Sequence, residues 1–448
     1  MKSCLLLGPL AALGLFLAGC QGIPAPGEKQ ARHDLGAVEA LYRPRNSPPP
    51  LPDLAQDSSL TNLLAHALFN QPRVAAAFYD WSASVEDITV ARSLPDPQLT
   101  FQAYIQNTLT SLMPGFMQQF PGPGKLQARA SVAAAGAQSK YFLFEQAVLQ
   151  AGFNLKSAYY QLGLWTEQLR LTRLKLSLLE MQERVLRAQE ASGTTSLREL
   201  LQVRAQRDRL HDDLANLVDS GRPLQAKYKA ALGLSPRQPD PPIPSHFEMP
   251  GDYPDPNALF RMAMDRNPEL MEMEASVREA EAGIAVAYKD RVPDFNAGLS
   301  AEVYHPPFYW PQVGMTFPLW RDKLAAELAR AQANELASKS RLKSAQIDLA
   351  ADFAEKWFAY SQNNRNLSLV EGSLLPQARQ TLDTVRAGYQ SGALDFSSLA
   401  DAQMAILDLK LEAAGARTAR QVALMGISLM VAGEMPADAP VLSSLHNP

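Results

Sequence analysis

Val292-Pro293-Asp294-Phe295-Asn296-Ala297-Gly298-Leu299-Ser300-Ala301-Glu302-Val303 alternates apolar and polar side chains. A period of two puts Phe295, Ala297, Leu299, Ala301 and Val303 on one face of a strand and the polar residues on the other. About nine residues span a bilayer as a tilted strand, with one face in lipid and one in water. Val313, Met315, Phe317 and Leu319 continue the pattern in a return strand, and Phe308, Tyr309 and Trp310 form an aromatic cluster near the tip, as at a membrane interface. The same phrase occurs roughly 198 residues earlier, where Leu94-Pro95-Asp96 precedes Leu99, Phe101, Ala103 and Ile105 in alternation with Gln98, Thr100, Gln102 and Tyr104. The first return strand is weaker. Phe116 and Phe120 share a face with Gln118, so this strand is expected to lie below the bilayer.

Other markers repeat at nearly the same offset: Asn70 and Asn267 with a proline close behind, Arg187-Ala188 and Arg386-Ala387, Ser192-Gly193 and Ser391-Gly392. So long a period means two copies of a large supersecondary unit rather than a short-repeat solenoid. Four strands cannot close a barrel, and an open edge in lipid is prohibitively costly. A membrane-spanning chain of this kind must oligomerise: two copies supply eight strands and three supply twelve. The alternative is a pair of amphipathic hairpins on a soluble domain.

The chain has 448 residues, 46% hydrophobic and 20% charged, with net charge -4. That is ample for a sizeable core and gives no nucleic-acid footprint. Cys4 and Cys20 are the two cysteines. Lys2, the apolar run Leu5 to Leu17, and Leu17-Ala18-Gly19-Cys20 resemble a lipoprotein leader, residues 1–19. The resemblance implies cleavage before Cys20 and its acylation, a palmitate-type anchor. Gln21 follows the cysteine; in bacterial lipoproteins an Asp there favours inner-membrane retention, and its absence favours the outer membrane. No later stretch reaches 18 apolar residues, so no transmembrane helix is expected.

Residues 20–57 read as a Pro-rich extended tether. The first repeat, 58–235, holds helices from Leu60 to about Ser93, the hairpin 94–124, a helix from Lys125 to about Ala191, and another from Ser196 to Leu232. A Pro-rich linker, 236–256, separates it from the second, 257–433, with helix 257–291, hairpin 293–320, helix 322–390 and helix 394–433. The tail 434–448 is expected to be loose. Helices this long suggest coiled-coil-like packing. Pro376 is expected to kink one of them, and Gly152 and Gly163 to weaken another.

Gly122-Pro123-Gly124-Lys125 lacks the spacing and the Ser or Thr of a phosphate loop, and reads as a turn between strand and helix. There is no HExxH, no GxSxG and no Cys pair for a metal. Met262, Met264, Met271 and Met273 are of a type that suits Cu(I), but at helical spacing they read as packing. No cofactor and no catalytic constellation is expected.

Ser93-Leu94-Pro95-Asp96-Pro97, Pro121-Gly122-Pro123-Gly124-Lys125, Asn267-Pro268-Glu269-Leu270 and Ala387-Gly388-Tyr389-Gln390-Ser391-Gly392, in that order, resemble the outer-membrane efflux protein family, the TolC-like channels, over residues 58–433. The resemblance implies a mainly helical homotrimer. Its four strands per chain form a shared 12-stranded barrel in outer-membrane lipid, continued by an α-barrel across the periplasm of a Gram-negative bacterium. It implies a passive exit duct for drugs or metal cations, served by a periplasmic adaptor and an inner-membrane pump, with the resistance-nodulation-division type favoured. Lipid-facing positions are then Leu99, Phe101, Ile105, Phe295, Leu299, Val303, Val313, Met315 and Phe317. Ser192-Gly193 and Ser391-Gly392 become the helix-turn tips where the adaptor docks. Counting from Gly392, Asp401 matches the family's inner acidic gate position and Ser398 stands at the outer one. In the first repeat Glu199 and Gln202 are the equivalents. Three copies of Asp401 and Glu199 would make a cation-favouring ring; otherwise each is a solvated or paired surface charge. Two rival readings are a type I secretion duct and a non-conducting periplasmic scaffold lipoprotein.

Overall fold

The computed structural model describes residues 27–55, 57–105, 109–244, 247, 255–302 and 308–432. Cys20, the leader, the tail and Val303 lie outside the described residues, as does the side chain of Ile105. The chain divides into two compact units. No helix among the described residues is long and apolar enough to cross a membrane.

The first unit takes the described part of Met1–Ser47 with Ala76–Gln146 and Pro268–Gln346. Its helix α1, Glu28–Tyr42, lies within the stretch read as an extended tether. It is helical because it is tied down. Glu28 bonds Arg92, Arg32 bonds Glu86, and Tyr42 enters an aromatic cluster with Phe78 and Phe144. After α2 (Leu60–Asn70), α3 (Pro72–Arg92) carries buried Val74, Phe78, Trp81, Val85 and Ile88, a four-three spacing that makes one apolar seam. Trp81 stacks on Phe144 of the helix that follows the first hairpin.

Strands β1 (Gln98–Ile105), β2 (Leu109–Phe120), β3 (Asp294–Glu302) and β4 (Phe308–Thr316) form one antiparallel sheet in the order β1-β2-β3-β4. The joint between repeats is β2 against β3, with Phe116 opposite Leu299 and Phe120 opposite Phe295. Thus β2 is flanked by strands on both sides. Gln118, the residue that weakened its pattern, donates its amide to the backbone carbonyls of Pro95 and Gln119.

The second unit takes Pro48–Ala75, Ala147–Asn267 and the described part of Ile347–Pro448. Helix α4 (Lys125–Ala191) passes through Gly152 and Gly163 without a break. Gly163 is needed for packing, since a Cβ there would sit 2.9 Å from the Phe247 ring. The expected continuous helix after it is two, α5 (Leu197–Asp219) and α6 (Gly221–Ala231). Pro223 has no N–H to donate to Asp219, and Gly221 makes room for Trp165, whose indole donates to the Leu217 carbonyl at 2.8 Å. In the second repeat α7 (Pro256–Arg266) and α8 (Pro268–Lys289) are likewise separate, because Asn267 precedes a proline and turns extended. The two repeats close the same way. Asn70 donates to the Leu232 carbonyl and Asn267 to the Met430 carbonyl. Helix α9 (Arg321–Leu369) runs through a π-helical turn, Val370–Leu374, into α10 (Leu375–Gln390). Pro376 falls in the first turn of α10, and the wide turn before it absorbs its missing donor. Helix α11 (Phe396–Met430) ends the described fold.

Candidate functional site: a two-faced sheet and two glycine tips

Because neighbouring strands pair in register, side chains directly opposite share a face. One face gathers Leu99, Phe116, Leu299 and Pro311 in a row, with Phe101 opposite Pro114, Ala297 opposite Val313, and Phe295 between Phe120 and Met315. This face is bare: Leu99 is 73% and Val313 85% exposed, and Phe101, Phe295, Leu299 and Met315 are exposed too. Phe317, just past β4, is exposed with Leu319 and Trp320, while Phe308, Tyr309 and Trp310 are exposed at its other end. Eight residues separate Tyr309 from Phe317, about 27 Å of strand, close to the ~25 Å apolar band of membrane strands.

The opposite face is polar and partly filled. Ser300 is buried and accepts from the Gln312 amide at 3.0 Å. A Cβ on Gly115 would fall 2.6 Å from both Ser300 Oγ and Thr100 Oγ1, so the absent side chain makes the space these hydroxyls use. β1 and β4 each have a neighbour on one side only.

The tips lie in the second unit. Gly193 and Gly392 have φ of +71° and +75°, the left-handed conformation glycine tolerates. Each ends its helix with the paired backbone bonds of a Schellman turn: Thr194 N–H to the Gln189 carbonyl and Gly193 N–H to that of Glu190, then Ala393 to Gly388 and Gly392 to Tyr389. Ser192 and Ser391 donate their hydroxyls to the carbonyls of Gln189 and Gly388. The next helix starts with a side-chain cap in both repeats, Ser196 accepting from Glu199 N–H and Asp395 from Ser398 N–H.

These caps separate the four gate candidates. Glu199 and Ser398 serve the caps, Glu199 also accepting from Thr195 and Ser398 donating its hydroxyl to Asp395. Gln202 and Asp401 stand about one turn further on. Asp401 is exposed and in no ion pair among the described residues. Partial burial, then the Asp395 carboxylate, pushes its pKa up. Asp395 is held below the usual carboxylate range by the Ser398 hydroxyl and N–H. Met404, three residues after Asp401, packs on the cluster containing Leu200 and Val203, which flank Glu199 and Gln202.

Two features were missed in the sequence. Glu183 is buried among Arg187, Arg204 and Arg207. Asp294, read only as part of a repeated motif, is gripped by the Gly-rich turn after β2. No cluster of metal-ligating side chains occurs among the described residues.

Residues 259–433 match the family described as outer membrane efflux protein. The chain is 23% identical over 303 residues to the pyoverdine export outer membrane protein OpmQ of Pseudomonas putida. That match covers 64% of this chain and 63% of the relative, less than two-thirds of its length. Among solved structures, the open state of the Neisseria gonorrhoeae MtrE outer membrane channel superposes with TM-score 0.71 at 16% identity, covering 84% of this chain and 89% of MtrE. The Campylobacter jejuni CmeC outer membrane channel gives 0.70 at 12% identity, covering 85% and 86%. Over residues 259–433 the chain is similar to the outer membrane efflux protein family, and it has the fold of the MtrE and CmeC outer membrane channels.

Proposed function

We propose that this chain is the outer-membrane duct of a tripartite efflux system. Three copies close a twelve-stranded barrel and continue it as a helical tunnel to the Gly193 and Gly392 tips, where a periplasmic adaptor and an inner-membrane pump dock. Cys20 carries the lipid anchor. The observation behind this is the sheet, with its bare apolar face and two unpaired edges. Lipid covers the first and other copies pair the second, and no soluble monomer satisfies both. The match to a pyoverdine exporter supports small-molecule cargo. Asp401 lines the closed entrance, with Glu199 beside it.

The test is planar-bilayer conductance of detergent-extracted protein, with the oligomer mass taken from the same sample. A trimer giving discrete, cation-preferring channels is expected, and Asp401→Asn with Glu199→Gln should raise conductance and weaken that preference. Unchanged conductance and selectivity would remove the two carboxylates from the gate. A monomer that needs no detergent and never conducts would overturn the duct.

A further inference from the structure

The first repeat's outgoing turn grips the second repeat's incoming strand. Phe120-Pro121-Gly122-Pro123-Gly124-Lys125-Leu126 leads from β2 into α4. Lys125 Nζ lies 2.8 Å from Asp294 Oδ1, and Gly122 N–H donates to the same oxygen at 2.7 Å. A Cβ at Gly122 would fall 2.5 Å from the Pro293 carbonyl oxygen, so the turn fits flush on Val292-Pro293-Asp294.

Both halves of this lock have counterparts that the chain does not use on each other. Phe317-Pro318-Leu319-Trp320-Arg321-Asp322-Lys323-Leu324 leads from β4 into α9, with the same Phe-Pro start and Lys-Leu end. Leu94-Pro95-Asp96 leads into β1 as Val292-Pro293-Asp294 leads into β3. Lys323 is 68% exposed, and among the described residues its one ion pair is a 3.7 Å contact to Glu327 on its own helix. Asp96 is exposed. β4 and β1 are the free edges of the sheet.

The closed barrel already requires β4 of one copy to pair with β1 of the next; we infer that at this seam Lys323 holds Asp96 of the neighbouring copy as Lys125 holds Asp294 within the chain. This rests on the multimeric duct proposed above. The repeat also sets the register. Transferring Phe116 opposite Leu299 and Gln118 opposite Ala297 places Val313 opposite Phe101, and Met315 opposite Leu99, of the neighbouring copy. All four are exposed apolar side chains, so the apolar face continues across the seam. A slip of one residue would set Val313 against Thr100 or Gln102 of the polar face.

The helices beyond the strands agree. α3 ends six residues before β1, and α9 begins five after β4. Tyr79 and Leu336, both exposed, stand about 20 and 22 Å from those ends, and so meet at one level. Leu336 also opens a run of exposed residues eleven apart, Leu336, Ile347, Phe358 and Leu369. Eleven residues complete just over three turns, so the run is a nearly straight stripe along α9, suited to a neighbouring helix.

The test uses the full chain in detergent, with oligomer mass measured throughout. Phe101→Cys with Val313→Cys should oxidise to a covalent ladder ending at the full oligomer, and Gln102→Cys with Val313→Cys should not. Asp96→Lys or Lys323→Asp should each lower the oligomer's apparent association constant, up to about fivefold per seam, and the two together should restore it. An intact oligomer with no ladder and no rescue overturns the seam and leaves the duct standing. An unmodified protein that is monomeric overturns the duct and the seam with it.

Discussion

His66 shows how one position can tune a whole junction. It is buried, its Nδ1 has no hydrogen-bond partner among the described residues, and it bonds the same Leu232 carbonyl that accepts from Asn70. Burial pushes its pKa below the usual imidazole value, and the Leu232 carbonyl only partly offsets this. The folded state therefore holds the neutral ring. Stability is full above the unfolded pKa of about 6.5 and is lost as pH falls below it, because the unfolded chain binds the extra proton. The second repeat has Ala263, also buried, at the equivalent place, so His66→Ala should fold. At pH 7.5 it should lose about 1–2 kcal/mol for the deleted ring, yet its melting temperature should fall less steeply between pH 7.5 and 5.5. Equal slopes for the two proteins would remove His66 as an acid-sensitive point.

At the scale of elements, the pairing of α4 with α5 turns on Glu183. Burial alone would raise its pKa, but Arg204, Arg207 and Arg187 outweigh that and hold the carboxylate low. Arg204 and Arg207 of α5, both on one buried anion of α4, also fix the rotation of α5 about its axis. Glu183→Gln should cost about 2 kcal/mol, below the 3–5 kcal/mol of a fully buried pair because the arginines reach water. Glu167→Gln breaks the more exposed pair with Arg170 on the same helix, and should cost only about 0.3 kcal/mol. Denaturant titration in detergent would compare them. Similar losses for both would mean the Glu183 cluster adds no more than a surface ion pair.

For the whole molecule, the two faces of the sheet should behave differently in a membrane. Val313→Arg puts a guanidinium on the bare apolar face, at about 2–4 kcal/mol per copy near the bilayer centre. Gln312→Arg, one residue away on the polar face, should be tolerated. The readout is the fraction of protein recovered as outer-membrane oligomer, expected to collapse for the first and hold for the second. Equal recovery would mean that the apolar face does not meet lipid.

Much of this was legible in the residues because the signals are local. The limits of α4, the strand alternation and the Gly193 and Gly392 turns follow from periodicity and from what glycine and proline permit within one turn of chain. The repeat tied them into one pattern, since two similar phrases at a fixed offset fold alike. What the sequence could not show depends on which segments meet. The tether's helix α1 is held by Arg92 and Glu86 of α3, far along the chain. Gly163 looks like a weak point in α4 until Phe247 is seen packed against it. Lys125 and Asp294 sat in two recognised motifs, yet their bond exists only because β2 lies beside β3. Glu199 stands out as a gate candidate in the sequence, but its bond from Thr195 beside the helix cap shows only in the folded turn. Sequence by itself determined the elements and their duplication, because backbone preference and side-chain period act over a few residues. Tertiary structure alone decided the strand partners, the buried charges and the bare faces, because those depend on contacts between different segments, 21 residues apart for Glu183 with Arg204 and 172 for Asp294 with Gly122.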